Sequence, residues 1–278
     1  MTVTIITDST ADLSPEIINN RQLKVVPLTV YIGGDTYLDG VNLSTQRLFE
    51  LVEKYGGLPK TAAPSVGVFM EIFNQPGDYV FIGISTELSS TVQNATLASA
   101  EFPGRNIFLI NSLNLSTGIG MLVLKAADLR DAGLSAAEIQ EQVNKCIDKI
   151  RCSFVIETME YLYKGGRCTA LQSLFGSLLK IRPVIEVKGN GTMGVKDKIR
   201  GTRKKALDSM LVDLQANLDN LDLTRIFVTH TGCDADALYL ADEIRKICPV
   251  KDIHITTAGA VVSSHCGPDT IGIIYSLK

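Results

Sequence analysis

The chain has 278 residues, 45% of them hydrophobic and 21% charged, with a net charge of −3, which suits one large or two medium globular domains. That balance offers no global basic field to nucleic acid, the start MTVTIITDST lacks the basic region and apolar length of a signal peptide, and no stretch approaches the roughly 18 apolar residues of a membrane span. The expectation is a soluble, cytoplasmic protein with no nucleic-acid partner. In chain order, VTIITD is a short β-branched strand, and DLSPEIINN follows with Ser14 as helix cap and Pro15 at the first helical position. KVVPLTVYI is a second strand whose Pro27 indicates an edge or a bulge. STQRLFELVEKYG is an amphipathic helix capped by Ser44 and closed by glycine. YVFIGIS and NIFLIN are continuous apolar runs, as in strands buried on both faces. They alternate with the helices STVQNATLASA and STGIGMLVLKAADLRDAG.

The second half has another texture. SFVIET is a strand and CTALQSLFGSLLKI a helix. RPVIEVKGNGTMGVKDKI alternates apolar and polar residues around Gly-Asn-Gly, the signature of an antiparallel hairpin. A helix with a basic start, RGTRKKALDSMLVDLQANL, comes next, then the strands RIFVTH, VKDIHIT and IGIIY around a further helix. The fold class expected is α/β with two closely packed domains: an N-terminal parallel-sheet domain over 1–155 and a C-terminal mixed α+β domain over 156–278 that contributes a loop carrying His265.

GNGTMG, from Gly189 to Gly194, fits G-x-G-x-x-G, but VKDKI follows it in place of an apolar helix, so the glycines serve a turn and no dinucleotide is expected. The chain has no P-loop and no G-x-S-x-G elbow. The six cysteines form no C-x-x-C pair, which leaves reduced, buried thiols as the expectation, without a metal site or cofactor.

Hydroxyls gather at three helix entries. DSTADLSPE follows the first strand, KTAAPSVGVF carries Thr61 and Ser65, and ISTELSSTVQNA carries Ser85, Ser89, Ser90 and Thr91. Ligands of open α/β sheets sit outside the carboxyl ends of the strands, and helix starts favour anions. Each loop taken singly needs only helix capping to explain it. Together with SSHCGP around His265, they point to a small anionic ligand.

These segments, TDSTADL, TAAP, ISTELSSTVQNA, YLYKGGRCTALQSLFGSLLKIRPVIEV and SSHCGPDTIG, resemble the DegV family in order and spacing across residues 3–276. Proteins of that family bind fatty acids. The resemblance implies that this chain holds a long-chain fatty acid and presents its carboxylate to a separate ATP-using kinase subunit, which makes the acyl-phosphate, so no residue is expected to be catalytic. It places carboxylate contacts at Thr61, Ser89, Ser90 and His265, with Arg167 and Gly267 supporting them. Departures from the family pattern are Ala62, Ser90 and Asn111, which stand where serine, glycine and aspartate are usual.

The chemistry agrees. A buried carboxylate must be hydrogen-bonded, and neutral hydroxyls with an imidazole hold it without the charge withdrawal of an arginine fork. The rival reading is a serine hydrolase acting on an acyl substrate, with Ser89 or Ser90, His265 and an acid such as Asp8 or Asp12. Lys196, Lys198, Arg200, Arg203, Lys204 and Lys205 lie within ten residues. Basic charge at a helix start opposes the macrodipole, so the run is expected to serve docking on the kinase subunit, through Arg200 and Arg203 first, with transient contact to an anionic membrane surface as a further use.

Overall fold

The computed structural model describes residues 3–168, 170 and 181–278. The helix expected over 168–181 lies outside them except for residues 168, 170 and 181.

Strands β1 (Val3–Asp8), β2 (Lys24–Val26), β6 (Asp78–Gly83) and β7 (Ile107–Asn111) form a parallel sheet in the order β2-β1-β6-β7. Helices α1 (Pro15–Asn20), α4 (Thr91–Ala100), α5 (Thr117–Asp131) and α6 (Ala136–Asn144) connect or cover it. The Ser14 hydroxyl accepts from the Ile17 amide at the start of α1, and Pro15 follows as the first helical residue. Pro27 does more than mark an edge. Having no amide hydrogen, it ends β2, and the chain resumes as β3 (Thr29–Ile32) in a different, three-stranded antiparallel sheet with β4 (Asp35–Leu38) and β5 (Lys60–Ala62). That small sheet carries α2 (Thr45–Tyr55), capped by Ser44 and closed by Gly56 in the left-handed conformation, and leads to α3 (Val66–Phe73).

The second sheet has the order β10-β9-β8-β13-β11-β12, with β11 (Leu221–His230) and β12 (Asp252–Thr257) parallel and the other pairs antiparallel. The Gly-Asn-Gly turn joins β9 (Ile181–Val187) to β10 (Met193–Arg200) as an antiparallel hairpin. The chain changes sheet before residue 155. Strand β8 (Ile150–Val155) pairs with β13 (Ile271–Leu277) and β9, so its hydrogen bonds belong to the C-terminal sheet. Helices α7 (Glu160–Gly165), α8 (Arg203–Ala216), α9 (Asp234–Ile247) and α10 (Ala260–Cys266) complete the described elements.

Helix α5 is the seam between the sheets. Ten of its 15 residues are buried, because it faces β1 on one side and β8 and β13 on the other. A helix that packs on both sides has no polar face to show. Gly120 lets it approach: a Cβ there would lie 2.8 Å from the Leu13 side chain and 3.1 Å from the Ala11 carbonyl. One core thus runs from Ile5, Val80 and Ile110 through Leu122 to Phe154 and Ile274. The outer face of the second sheet carries a separate core under α8 and α9, with Leu207, Leu214, Leu240 and Ile273.

Candidate functional site

Strands β1 and β6 are parallel neighbours, so their carboxyl ends open on the same side. Asp8, fully buried at the end of β1, ties the two exits together: its Oδ2 accepts from the Ile84 amide at 2.9 Å, and its Oδ1 accepts from the amide and hydroxyl of Thr10. Beyond Ile84 the chain turns through Ser85, whose carbonyl accepts from the amides of Leu88 and Ser89. Asn111 at the end of β7 supports this turn. Its Oδ1 accepts from the Thr86 amide and its Nδ2 donates to the Thr86 hydroxyl at 2.8 Å. An aspartate there could only accept, so Asn111 adds a donor.

Thr61 lies in β5, paired with Val30 of β3. Its hydroxyl meets His265 Nε2 at 2.8 Å across 204 residues of sequence. Expected on a loop, His265 stands instead in the last turn of α10, a helix whose other residues are all buried. The other ring nitrogen, Nδ1, is buried without a hydrogen-bond partner among the described residues. It faces the Gly165 backbone so closely that a Cβ at Gly165 would lie 2.6 Å from it. Burial, aided by the positive charge of Arg167, depresses the His265 pKa to about 4, so the ring is neutral at neutral pH.

Thr61, Ser89, Ser90, Arg167 and His265 all line one cavity of about 350 Å³, at the small end of the roughly 300–1,000 Å³ usual for ligand pockets. Leu28, Ile84, Leu88, Leu115, Met193 and Val262 supply its apolar wall. A smaller void of about 30 Å³ lies behind Leu115, Val262 and Cys266, walled by Cys152, Phe154 and Ile274. Ser89 exchanges a 2.9 Å hydrogen bond with the Thr91 hydroxyl. Ser90 is exposed at the start of α4 and makes no side-chain cap. Arg167 donates to the Gly165 carbonyl at 2.6 Å and reaches the Leu88 carbonyl at 3.5 Å, lying at the rim as a brace between α7 and the serine turn. Gly267 ends α10 with φ 80° and ψ 177°, a region open essentially to glycine alone. A Cβ there would also lie 2.9 Å from the Tyr161 ring.

The sequence did not single out Asn94 or Met193, both of which line the cavity. Asn94 donates to the Pro64 carbonyl at 2.8 Å and so fixes α4 against the turn after β5; the run of small polar residues around it reads as ordinary helix surface. Arg203, expected to dock a partner, is paired within the chain. Its Nε donates to Asp236 at 2.5 Å, Nη1 to Glu157 at 3.0 Å and Nη2 to the Asp269 carbonyl at 2.7 Å. It therefore braces the turn that follows α10. Arg200, in contrast, is exposed. Nothing among the described residues assembles the hydrolase arrangement: the His265 Nε2 partner is Thr61, the Ser89 partner is Thr91, and no described carboxylate bonds His265 Nδ1.

Fold and site define a three-sheet α/β protein with a largely apolar pocket into which hydroxyls and a neutral imidazole are also brought. The comparisons with known proteins agree with that class. A family model described as uncharacterised protein, DegV family, matches residues 2–278, and the chain belongs to the DegV family. A DegV domain-containing protein of Caldanaerobacter subterraneus is 32% identical over 282 residues, covering 99% of each chain. Among solved structures, a fatty-acid-binding DegV family protein from Thermus thermophilus superposes with a TM-score of 0.92 at 31% identity over the whole of both chains. The fatty acid kinase B3 protein of Streptococcus pneumoniae, loaded with linoleic acid, gives a TM-score of 0.88 at 26% identity, again over the whole of both chains.

Proposed function

We propose that this protein binds a long-chain fatty acid in the 350 Å³ pocket and presents the carboxylate to a separate ATP-dependent kinase subunit. The single observation that carries the reading is the Thr61–His265 pair lining a largely apolar cavity. Its structural neighbours, a fatty-acid-binding DegV family protein and a fatty acid kinase B3 protein loaded with linoleic acid, support the same ligand class. With Nε2 protonated, His265 donates to Thr61, and the Thr61 hydroxyl is left to donate to a carboxylate; Ser89 and Ser90 offer further hydroxyls on the same wall. The tail binds by burial against the leucine, isoleucine and valine wall, at about 0.8 kcal/mol per methylene.

Held by neutral donors, the carboxylate keeps its nucleophilicity. One of its oxygens attacks the terminal phosphoryl group of ATP carried by the partner; the new P–O bond forms as the bond to ADP breaks, leaving an acyl-phosphate. This chain supplies position and water exclusion, and the partner supplies nucleotide chemistry. Docking falls to the surface around Arg200, with anionic lipid as a transient second contact.

Organic extraction of the purified protein followed by mass spectrometry tests the ligand. A fatty acid in near-equal molar ratio to protein is expected, and its loss in Thr61→Ala ties it to the site. Acyl-phosphate formation by this chain alone with ATP and magnesium would contradict the division of labour.

A further inference from the structure

Helix α10 has no side-chain cap of its own, since its cap residue is Gly259. Its first amides nevertheless find acceptors, all from the other half of the chain. Asp12 Oδ1, just past β1, accepts from the Gly259 amide at 2.7 Å, and Asp12 Oδ2 accepts from the Ser116 hydroxyl at 2.5 Å. Asp39 Oδ1, after β4, accepts from the Ala260 amide at 2.6 Å. The hydroxyl of Thr45, the first residue of α2, donates to the Ala258 carbonyl. Gly259 is required for this grip, because a Cβ there would lie 2.8 Å from Asp39 Oδ1. Asp39 is 2% exposed and its Oδ2 is buried without a well-formed partner. A buried carboxylate is costly, and a helix this short could be capped more simply by a serine at its start.

We propose that Asp39 is a positioning residue for the pocket: by holding the Ala260 amide it fixes α10 against the small three-stranded sheet, and so sets His265 at the far end of the same helix against Thr61. Both ends of the contact then derive from one unit, since β4, which leads to Asp39, and β5, which carries Thr61, flank β3. Burial raises the Asp39 pKa to about 6 against the pull of the Ser9 hydroxyl and the α10 amides, a strain that capping alone would not require. The inference rests on the fatty acid reading only for its binding consequence.

The test compares Asp39→Ala, Asp39→Asn and Asp39→Glu with Leu214→Ala, a control in the distant core under α8. Two quantities are read: the imidazole ¹H–¹⁵N NMR signals of His265, and fatty acid affinity by displacement of a fluorescent fatty acid. Asp39→Ala is expected to shift the His265 signals and to weaken binding about tenfold, the loss of roughly one hydrogen bond in the chain of contacts. Asp39→Asn, which keeps an oxygen for Ala260, restores most of both, and Leu214→Ala leaves both unchanged despite a lower melting temperature. Unshifted His265 signals in Asp39→Ala, or an equal shift in Leu214→Ala, would overturn the proposal. If Asp39→Ala does not fold, Asp39→Glu decides, because it keeps the charge but displaces the acceptor by a methylene; the proposal fails if its His265 signals match the wild type. A wild-type protein that binds no fatty acid refutes the ligand reading, while the NMR comparison still decides the role of Asp39.

Discussion

The core under α8 and α9 and the region around α10 bury very different things. Under α8 and α9 the buried side chains are Val184, Leu207, Met210, Leu214, Leu240 and Ile273, with Tyr275 the largest. Around α10 and the ends of β1 and β6, beyond the Phe154 and Ile274 core of the sheet's other face, the protein buries Asp8, Thr10, Asp12, Asp39, Ser85, Ser116 and Thr229. The apolar core needs only good packing. The polar region costs desolvation at every group, and nearly every group there holds a neighbour in a set place. Burial alone therefore says little about function; buried polar groups that converge on one cavity say much more.

The contrast predicts that damage to the two regions separates stability from binding. Leu214→Ala, in the apolar core, is expected to lower stability by about 2–5 kcal/mol in urea unfolding while the folded protein keeps its affinity for fatty acid. Loss of affinity matching the loss of stability would erase the distinction. Thr61→Ala and His265→Ala are expected to do the reverse. Each removes a group from the carboxylate end and should weaken binding by about 1.5–3 kcal/mol, with little change in melting temperature, by calorimetry on both axes.

Gly267→Ala strikes the join between the two behaviours. Its backbone geometry and the Tyr161 ring make any side chain costly, by about 1–3 kcal/mol, and the strain falls next to His265. Both stability and affinity are expected to drop, and an unchanged affinity would show that the turn does not position the ring. Arg203→Ala should cost roughly 1 kcal/mol, because its partners are intramolecular. Arg200→Ala should leave stability and ligand unchanged and slow acyl-phosphate formation with the kinase, measured at two salt concentrations.

The smallest effect is in pH dependence. His265 is held neutral with a pKa near 4, so its contribution to stability is complete above its ordinary value of about 6.5 and is lost as pH falls from there toward 4. Asp39, raised to about 6, acts oppositely: its cost is present above pH 6 and is relieved as pH falls toward its ordinary value of about 3.9. The two partly cancel between pH 6 and 4. Asp39→Asn removes the relief, so its stability should fall more steeply on acidification than that of the wild type, as read from unfolding curves at pH 7, 6 and 5. Parallel curves would mean that Asp39 does not titrate in this range.

Local devices were legible in the sequence. The caps at Ser14 and Ser44, the proline at the first position of α1, the Gly-Asn-Gly hairpin and the apolar runs of β6 and β7 depend on residues a few places apart. The motifs single out Thr61, Ser89 and His265, which the fold brings to one cavity. What is not legible depends on distant partners. Helix α10 is not legible because seven residues, nearly all buried, show no helical period, and its caps, Asp12 and Asp39, lie more than two hundred residues upstream. The small antiparallel sheet was hidden because β3 and β4 are four residues each and β5 three. The ion-pair partners of Arg203, Glu157 and Asp236, come to it only through the fold.

The central claim is that Thr61 and His265 together hold a carboxylate. A fatty acid labelled with ¹³C at the carboxyl carbon, added in equimolar amount, tests it most directly by NMR. The expected result is one bound carboxyl resonance in slow exchange with free ligand, shifted in Thr61→Ala and in His265→Ala. A bound resonance that neither substitution moves would place the carboxylate elsewhere and contradict the account.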